Sequence, residues 1–242
     1  MTAMVFTGCL FIAFSPVTAM ILFTIVRFPL RIILLVVGAF FWLLSLFVSS
    51  LVWLAVVPLK DDLAFGLFVS VILQEVFRFA ICKIMKKAES GLQHVLSEEE
   101  RISIEKYKLP YVIGLGFGLM SGCFSILNLL SQSHGPGNVG IQGNAASFFL
   151  VSAFLTNAFI LLNTFWTVVF FDGMQKKKYM SMLSVISTHL LLSGLTLLNT
   201  RGSLYLISTV FSYVIAFSMM IWSYKIAGGS MKNIVALFNS CC

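Results

Sequence analysis

Glu75 and Arg78 lie three positions apart in an otherwise apolar run, with Gln74 beside them, and Asn163 and His189 interrupt two later apolar runs. Carboxylate, guanidinium, amide and imidazole groups can build acid–base or metal chemistry, but this spacing permits little of it. An aspartyl protease needs two carboxylates sharing a proton, whereas Glu75 is alone in its run and Asp61, Asp62 and Asp172 fall at the ends of theirs. A serine protease could be assembled from Ser121 and His189 if the two met. The string Gly118-Leu-Met-Ser121-Gly122 does not read as the strained turn that presents a nucleophile. A metal site would take Glu75 and His189 as ligands, but with Asn163 in place of an imidazole the ligand count falls short of a protein zinc site. No metal and no cofactor is expected.

The same residues have a structural use. Glu75 and Arg78 share one helix face and can neutralise each other. His189, neutral if buried, offers one donor and one acceptor, which suits Asn163 or Ser/Thr hydroxyls on adjacent helices. Two arrangements are open: one buried polar cluster of Gln74, Glu75, Arg78, Asn163 and His189, or separate interhelical hydrogen bonds, each worth about 0.6–2 kcal/mol.

The elements that position these groups follow from composition. The 242 residues are 59% hydrophobic and 10% charged, with a mean hydropathy of +1.00, which defines an integral membrane protein. Continuous Leu/Ile/Phe/Val runs predict helices rather than the short alternating strands of a barrel. Seven spans are expected, at residues 4–26, 32–57, 63–85, 109–131, 147–171, 179–199 and 203–224. The fold class is therefore all-α and polytopic, as a single seven-helix domain over residues 1–242. The first run has no positive n-region and is too long for a cleaved signal, so it reads as a retained span, kinked at Pro16. The five cysteines show no disulfide framework, and Cys241 and Cys242 are either acylated or an unmodified pair.

Lys and Arg set the orientation. Arg27, Arg31, Lys83, Lys86, Lys87, Arg101, Lys106, Lys108, Lys176, Lys177, Lys178, Lys225 and Lys232 fall on one side, against Lys60 and Arg201 on the other. Basic residues accumulate in cytoplasmic loops, which puts the N-terminus outside and the tail in the cytosol. The loop at 86–108 then reads as a partly helical cytosolic connector, and the Gly-rich stretch at 133–144 as an outer turn. The net charge of +7 follows from this bias and implies contact with membrane lipids, not nucleic acid.

Gly114, Gly118 and Gly122 recur every four residues within one apolar run. On a helix they share a face where a second backbone can approach closely. That second helix belongs either to this chain or to a partner.

Specific strings carry a resemblance. Phe40-Phe-Trp42-Leu-Leu-Ser, Leu73-Gln-Glu75-Val-Phe-Arg78-Phe, the glycine triad, Gly135-Pro-Gly137-Asn-Val-Gly140-Ile, Ser152-Ala-Phe-Leu155-Thr, Thr164-Phe-Trp166, Val169-Phe-Phe-Asp172 and Ala227-Gly-Gly-Ser230 run from the second span to the tail. In these the chain resembles the anterior pharynx-defective subunit of γ-secretase. The resemblance implies a seven-helix, N-outside scaffold without proteolytic chemistry of its own, joined with presenilin, nicastrin and presenilin enhancer. Presenilin would hold the catalytic aspartates, and the complex would cleave type I membrane proteins such as Notch and amyloid precursor protein. It also implies passage through endoplasmic reticulum, Golgi and plasma or endosomal membranes, and an assembly role for Gly114, Gly118 and Gly122. His189 matches the family's sixth-helix histidine, whereas Asn163 stands where the family has another.

A seven-span receptor agrees with this topology but not in detail. No Asp-Arg-Tyr closes the third span, no Asn-Pro-x-x-Tyr lies in the seventh, and no internal repeat suggests a transporter.

Overall fold

The computed structural model describes residues 3–56, 63–95, 108–133, 145–197 and 205–230. Within them the chain forms α1 (Ala3–Thr24), α2 (Pro29–Ala55), α3 (Leu63–Val95), α4 (Lys108–Ser133), α5 (Ala145–Gln175), α6 (Tyr179–Thr196) and α7 (Tyr205–Ile226). All seven are long and apolar enough to cross a membrane, and no strand occurs among the described residues. In hydrocarbon, backbone amides must bond within their own segment, which is why uninterrupted apolar runs become helices.

Two boundaries differ from the hydropathy reading. Helix α2 starts at Pro29, three residues before the expected span, because proline suits the first helical position, where its missing N–H has no partner to lose. Helix α3 continues ten residues past the expected end at residue 85, because Lys86, Lys87 and Ala88 favour helix although they are not apolar as a group. Helix α1 runs through Pro16. The Gly-rich stretch at 134–144 lies outside the described residues.

Helix α5 is the axis of the bundle. Its span is 72% buried, against 17% for that of α1, and it packs on α4, α7, α1, α6 and, more lightly, α3. Helix α2 lies on the far side of α4, and α3 bridges α2 and α6. The main apolar core joins Ile81, Cys82 and Met85 of α3 to Ile113 and Leu115 of α4, Val169 and Phe170 of α5, and Val185 of α6. A tight turn reverses the chain between α5 and α6. There the Lys178 amide donates to the Gly173 carbonyl at 2.8 Å, and Lys177 takes a left-handed φ of 54°.

Candidate functional site: a buried ion network and a glycine seam

Arg78 is fully buried and anchors the network. Its Nε lies 3.2 Å from both carboxylate oxygens of Glu75, one helical turn back. Its Nη1 donates to the Asn163 carbonyl at 3.1 Å and to Thr167 Oγ1 at 2.5 Å, and its Nη2 donates to Asn163 Oδ1 at 2.7 Å. The guanidinium is also capped by aromatic faces, 4.8 Å from the Phe117 ring centre and 5.9 Å from that of Trp166. Each arm of the cation therefore has a partner, as a buried charge requires.

His189 closes the network from α6. Its Nδ1 is 2.6 Å from Glu75 Oε1, and since a carboxylate can only accept, Nδ1 is the donor. Trp166 stacks on the imidazole with ring centres 4.5 Å apart. The sequence suggested Asn163 or a hydroxyl as the partner of His189. The partner is Glu75, because Asn163 is committed elsewhere: its Oδ1 to Arg78 and its Nδ2 to the Phe159 carbonyl at 3.0 Å.

Glu75, Arg78, Asn163 and His189 thus meet in one place, drawn from α3, α5 and α6. Gln74 does not join them. It is half-buried, and its Nε2 bonds Ser70 on its own helix at 3.2 Å, because residue 74 faces about 100° away from residue 75 on a helix. Ser121 and His189 are not brought together, since α4 and α6 have no extended contact among the described residues. Among the described residues no group of three or more His, Cys, Asp or Glu side chains could hold a metal. The arrangement cross-links three helices by charge. It exposes no nucleophile.

The glycine triad faces α5 of the same chain. A Cβ on Gly114 would meet Thr167 Cβ at 2.7 Å and the Thr164 carbonyl oxygen at 2.8 Å. One on Gly118 would meet the Ile160 carbonyl oxygen at 2.6 Å and Asn163 Cβ at 3.1 Å. On Gly122 it would meet Ile160 Cδ1 at 2.5 Å. The groove is therefore filled from within, and its occupant carries Asn163 and Thr167, two ligands of Arg78. The seam and the network form one assembly.

Three contributors escaped the sequence reading. Thr167 follows Asn163 by one helical turn, a legible signal once Asn163 is singled out. Trp166 and Phe117 look like ordinary core aromatics. A second close approach was missed as well. Gly38 of α2 abuts the Ile113 backbone and Gly116 of α4 abuts that of Leu35, on the face of α4 opposite the triad.

These features define a class: a polytopic membrane protein whose buried charges are satisfied by one another across helices and whose central helices touch backbone to backbone. The chain belongs to the Aph-1 family, since the family model described as Aph-1 protein matches residues 4–230. It is 49% identical to human "Gamma-secretase subunit APH-1B" over 243 aligned residues, covering 97% of this chain and 93% of the relative. It is 46% identical to zebrafish (Danio rerio) "Gamma-secretase subunit Aph-1b", with the same coverage of both chains. With Drosophila melanogaster "Gamma-secretase subunit Aph-1" it shares 43% identity over 233 residues, covering 96% and 97% of the two chains.

Proposed function

We propose that this chain is the noncatalytic scaffold subunit of a γ-secretase complex, assembling with presenilin, nicastrin and presenilin enhancer and supporting cleavage of type I membrane proteins such as Notch and amyloid precursor protein. What carries the reading is the near full-length match to relatives named as γ-secretase subunits. The geometry is compatible with it: Glu75 and His189, the side chains best suited to chemistry, bond to each other, and Glu75 also pairs with Arg78. The basic side chains named above favour an outside N-terminus and a cytosolic tail for one seven-helix domain. The same reading places the complex in endoplasmic reticulum, Golgi and plasma or endosomal membranes.

In this reading the ion network and glycine seam act on assembly indirectly. They fix the relative positions of α3, α4, α5 and α6, and so the shape of the lipid-facing surface that other subunits meet. Affinity purification of the tagged chain in a mild detergent tests this. Presenilin, nicastrin and presenilin enhancer are expected to co-purify in near-equal amounts, and recovery of the chain without them would refute the proposal.

A further inference from the structure

The hydrogen bond between His189 and Glu75 gives α3 and α6 a common depth mark. Both residues sit near the middle of their candidate spans, Tyr179–Thr196 and Ala64–Ala88. Successive membrane-spanning helices reverse direction, so α3 and α5, two apart in the chain, run the same way, and they touch where Arg78 meets Asn163 and Phe79 meets Phe170. Helix α6 returns along α5, with Gly173 beside Ser181 and Trp166 against His189. The two helices are therefore antiparallel. Lys86 follows Glu75 by eleven positions and Lys178 precedes His189 by eleven, so each lies about 17 Å from the mark, at the same end of the bundle.

Half of a bilayer's hydrocarbon core is about 15 Å thick, which puts these ammonium groups at the level of the lipid phosphates. Helix α6 cannot carry its lysines further out, since its 18 residues span only about 27 Å. Lys86, Lys177 and Lys178 are exposed there. Lys176 is tied to Asp172 at 2.6 Å, which offsets its charge locally. Just inside this layer, Tyr179 and Met180 are 74% and 79% exposed. A cationic rim above outward-facing apolar side chains matches an amphiphile, a phosphate-bearing head with acyl chains below it.

We infer that the end of the α3–α6 seam marked by Lys86, Lys177 and Lys178 is a binding site for an anionic phospholipid. An acidic protein segment would satisfy the lysines but would leave Tyr179 and Met180 uncovered, so the lipid accounts for more of the surface. The inference does not depend on the chain's partners, and the lipid measurement that tests it needs none.

The purified full chain is reconstituted in nanodiscs of phosphatidylcholine with a minor fraction of phosphatidylserine, and the lipids it retains after mild delipidation are counted by native mass spectrometry. The wild type is expected to retain phosphatidylserine severalfold above its bulk share. The triple variant K86Q/K177Q/K178Q should retain it in the bulk ratio. R27Q, which removes a cation from the α1–α2 turn, should keep the preference. Raising salt should reduce the wild-type preference, a check that needs no variant to fold. An unchanged preference in the triple variant, an equal loss in R27Q, or no response to salt would overturn the inference. So would a triple variant that keeps its lipid preference but loses co-purifying subunits, because the patch would then serve an acidic protein surface.

Discussion

Gly122 and Gly118 are both closed by Ile160, but by different parts of it, and the difference is measurable. An added Cβ at 122 runs into Ile160 Cδ1 at 2.5 Å and Cγ1 at 2.7 Å, the movable end of a side chain. At 118 it runs into the Ile160 carbonyl oxygen at 2.6 Å, which no side-chain change can remove. Overpacking of this kind costs about 1–3 kcal/mol. Gly122→Ala should fall near the bottom of that range, Gly118→Ala at or above the top. Ile160 is fully buried, so Ile160→Ala alone should destabilise by about 2–5 kcal/mol. Combined with Gly122→Ala it should lose about 1–2 kcal/mol less than the sum of the single effects, because the new methyl enters the space that Ile160 leaves. Combined with Gly118→Ala it should show no such relief. Gly194→Ala is a control, since a Cβ there meets nothing within 4 Å. Reversible unfolding of the purified chain in mixed micelles provides the free energies. Equal relief at 118 and 122, or a Gly118→Ala chain as stable as Gly194→Ala, would refute the packing argument.

Arg78→Leu leaves the Glu75 carboxylate without its cation and should destabilise the chain by about 3–5 kcal/mol. Adding Glu75→Leu to Arg78→Leu should restore part of that loss, read in the same unfolding assay. Tyr213→Phe removes the phenol that donates to the Phe154 carbonyl at 3.1 Å and to Asn157 Oδ1 at 3.2 Å, joining α7 to α5. A loss of about 0.6–2 kcal/mol is expected, with the fold kept. Single cysteines placed at Asn138 and Lys177 in a cysteine-free background should label from opposite sides of the membrane, and labelling from one side would contradict the proposed topology.

The seven helices were legible because each apolar run is long enough to span, and hydrocarbon leaves a continuous run little alternative to helix. Their ends were less so. Hydropathy stops at residue 85, whereas the helix goes on to Val95 wherever residues such as Lys86, Lys87 and Ala88 sustain it. The triad announced a close approach but not the helix approaching, since small residues at every fourth position fit any neighbouring backbone. That α5 fills the groove depends on tertiary packing. Gly38 and Gly116 gave no comparable signal, being single glycines on their faces. Within the polar group, Glu75 and Arg78 could be paired from their spacing alone, but the bond from His189 to Glu75 joins residues 114 positions apart. Gln74 adjoins Glu75 in sequence, but adjacency on a helix means a different face.

On the proposed function, the buried polar residues hold helices in register for assembly and carry out no proteolysis. His189→Ala tests it most directly, expressed in place of the wild-type chain in cells that lack their own Aph-1 subunit. In this variant Glu75 loses its bond across to α6. Presenilin maturation and subunit co-purification should then fall together, and the purified wild-type chain should cleave no substrate without presenilin. Proteolysis by the isolated chain that disappears with His189→Ala, or stoichiometric zinc bound to it, would contradict the account.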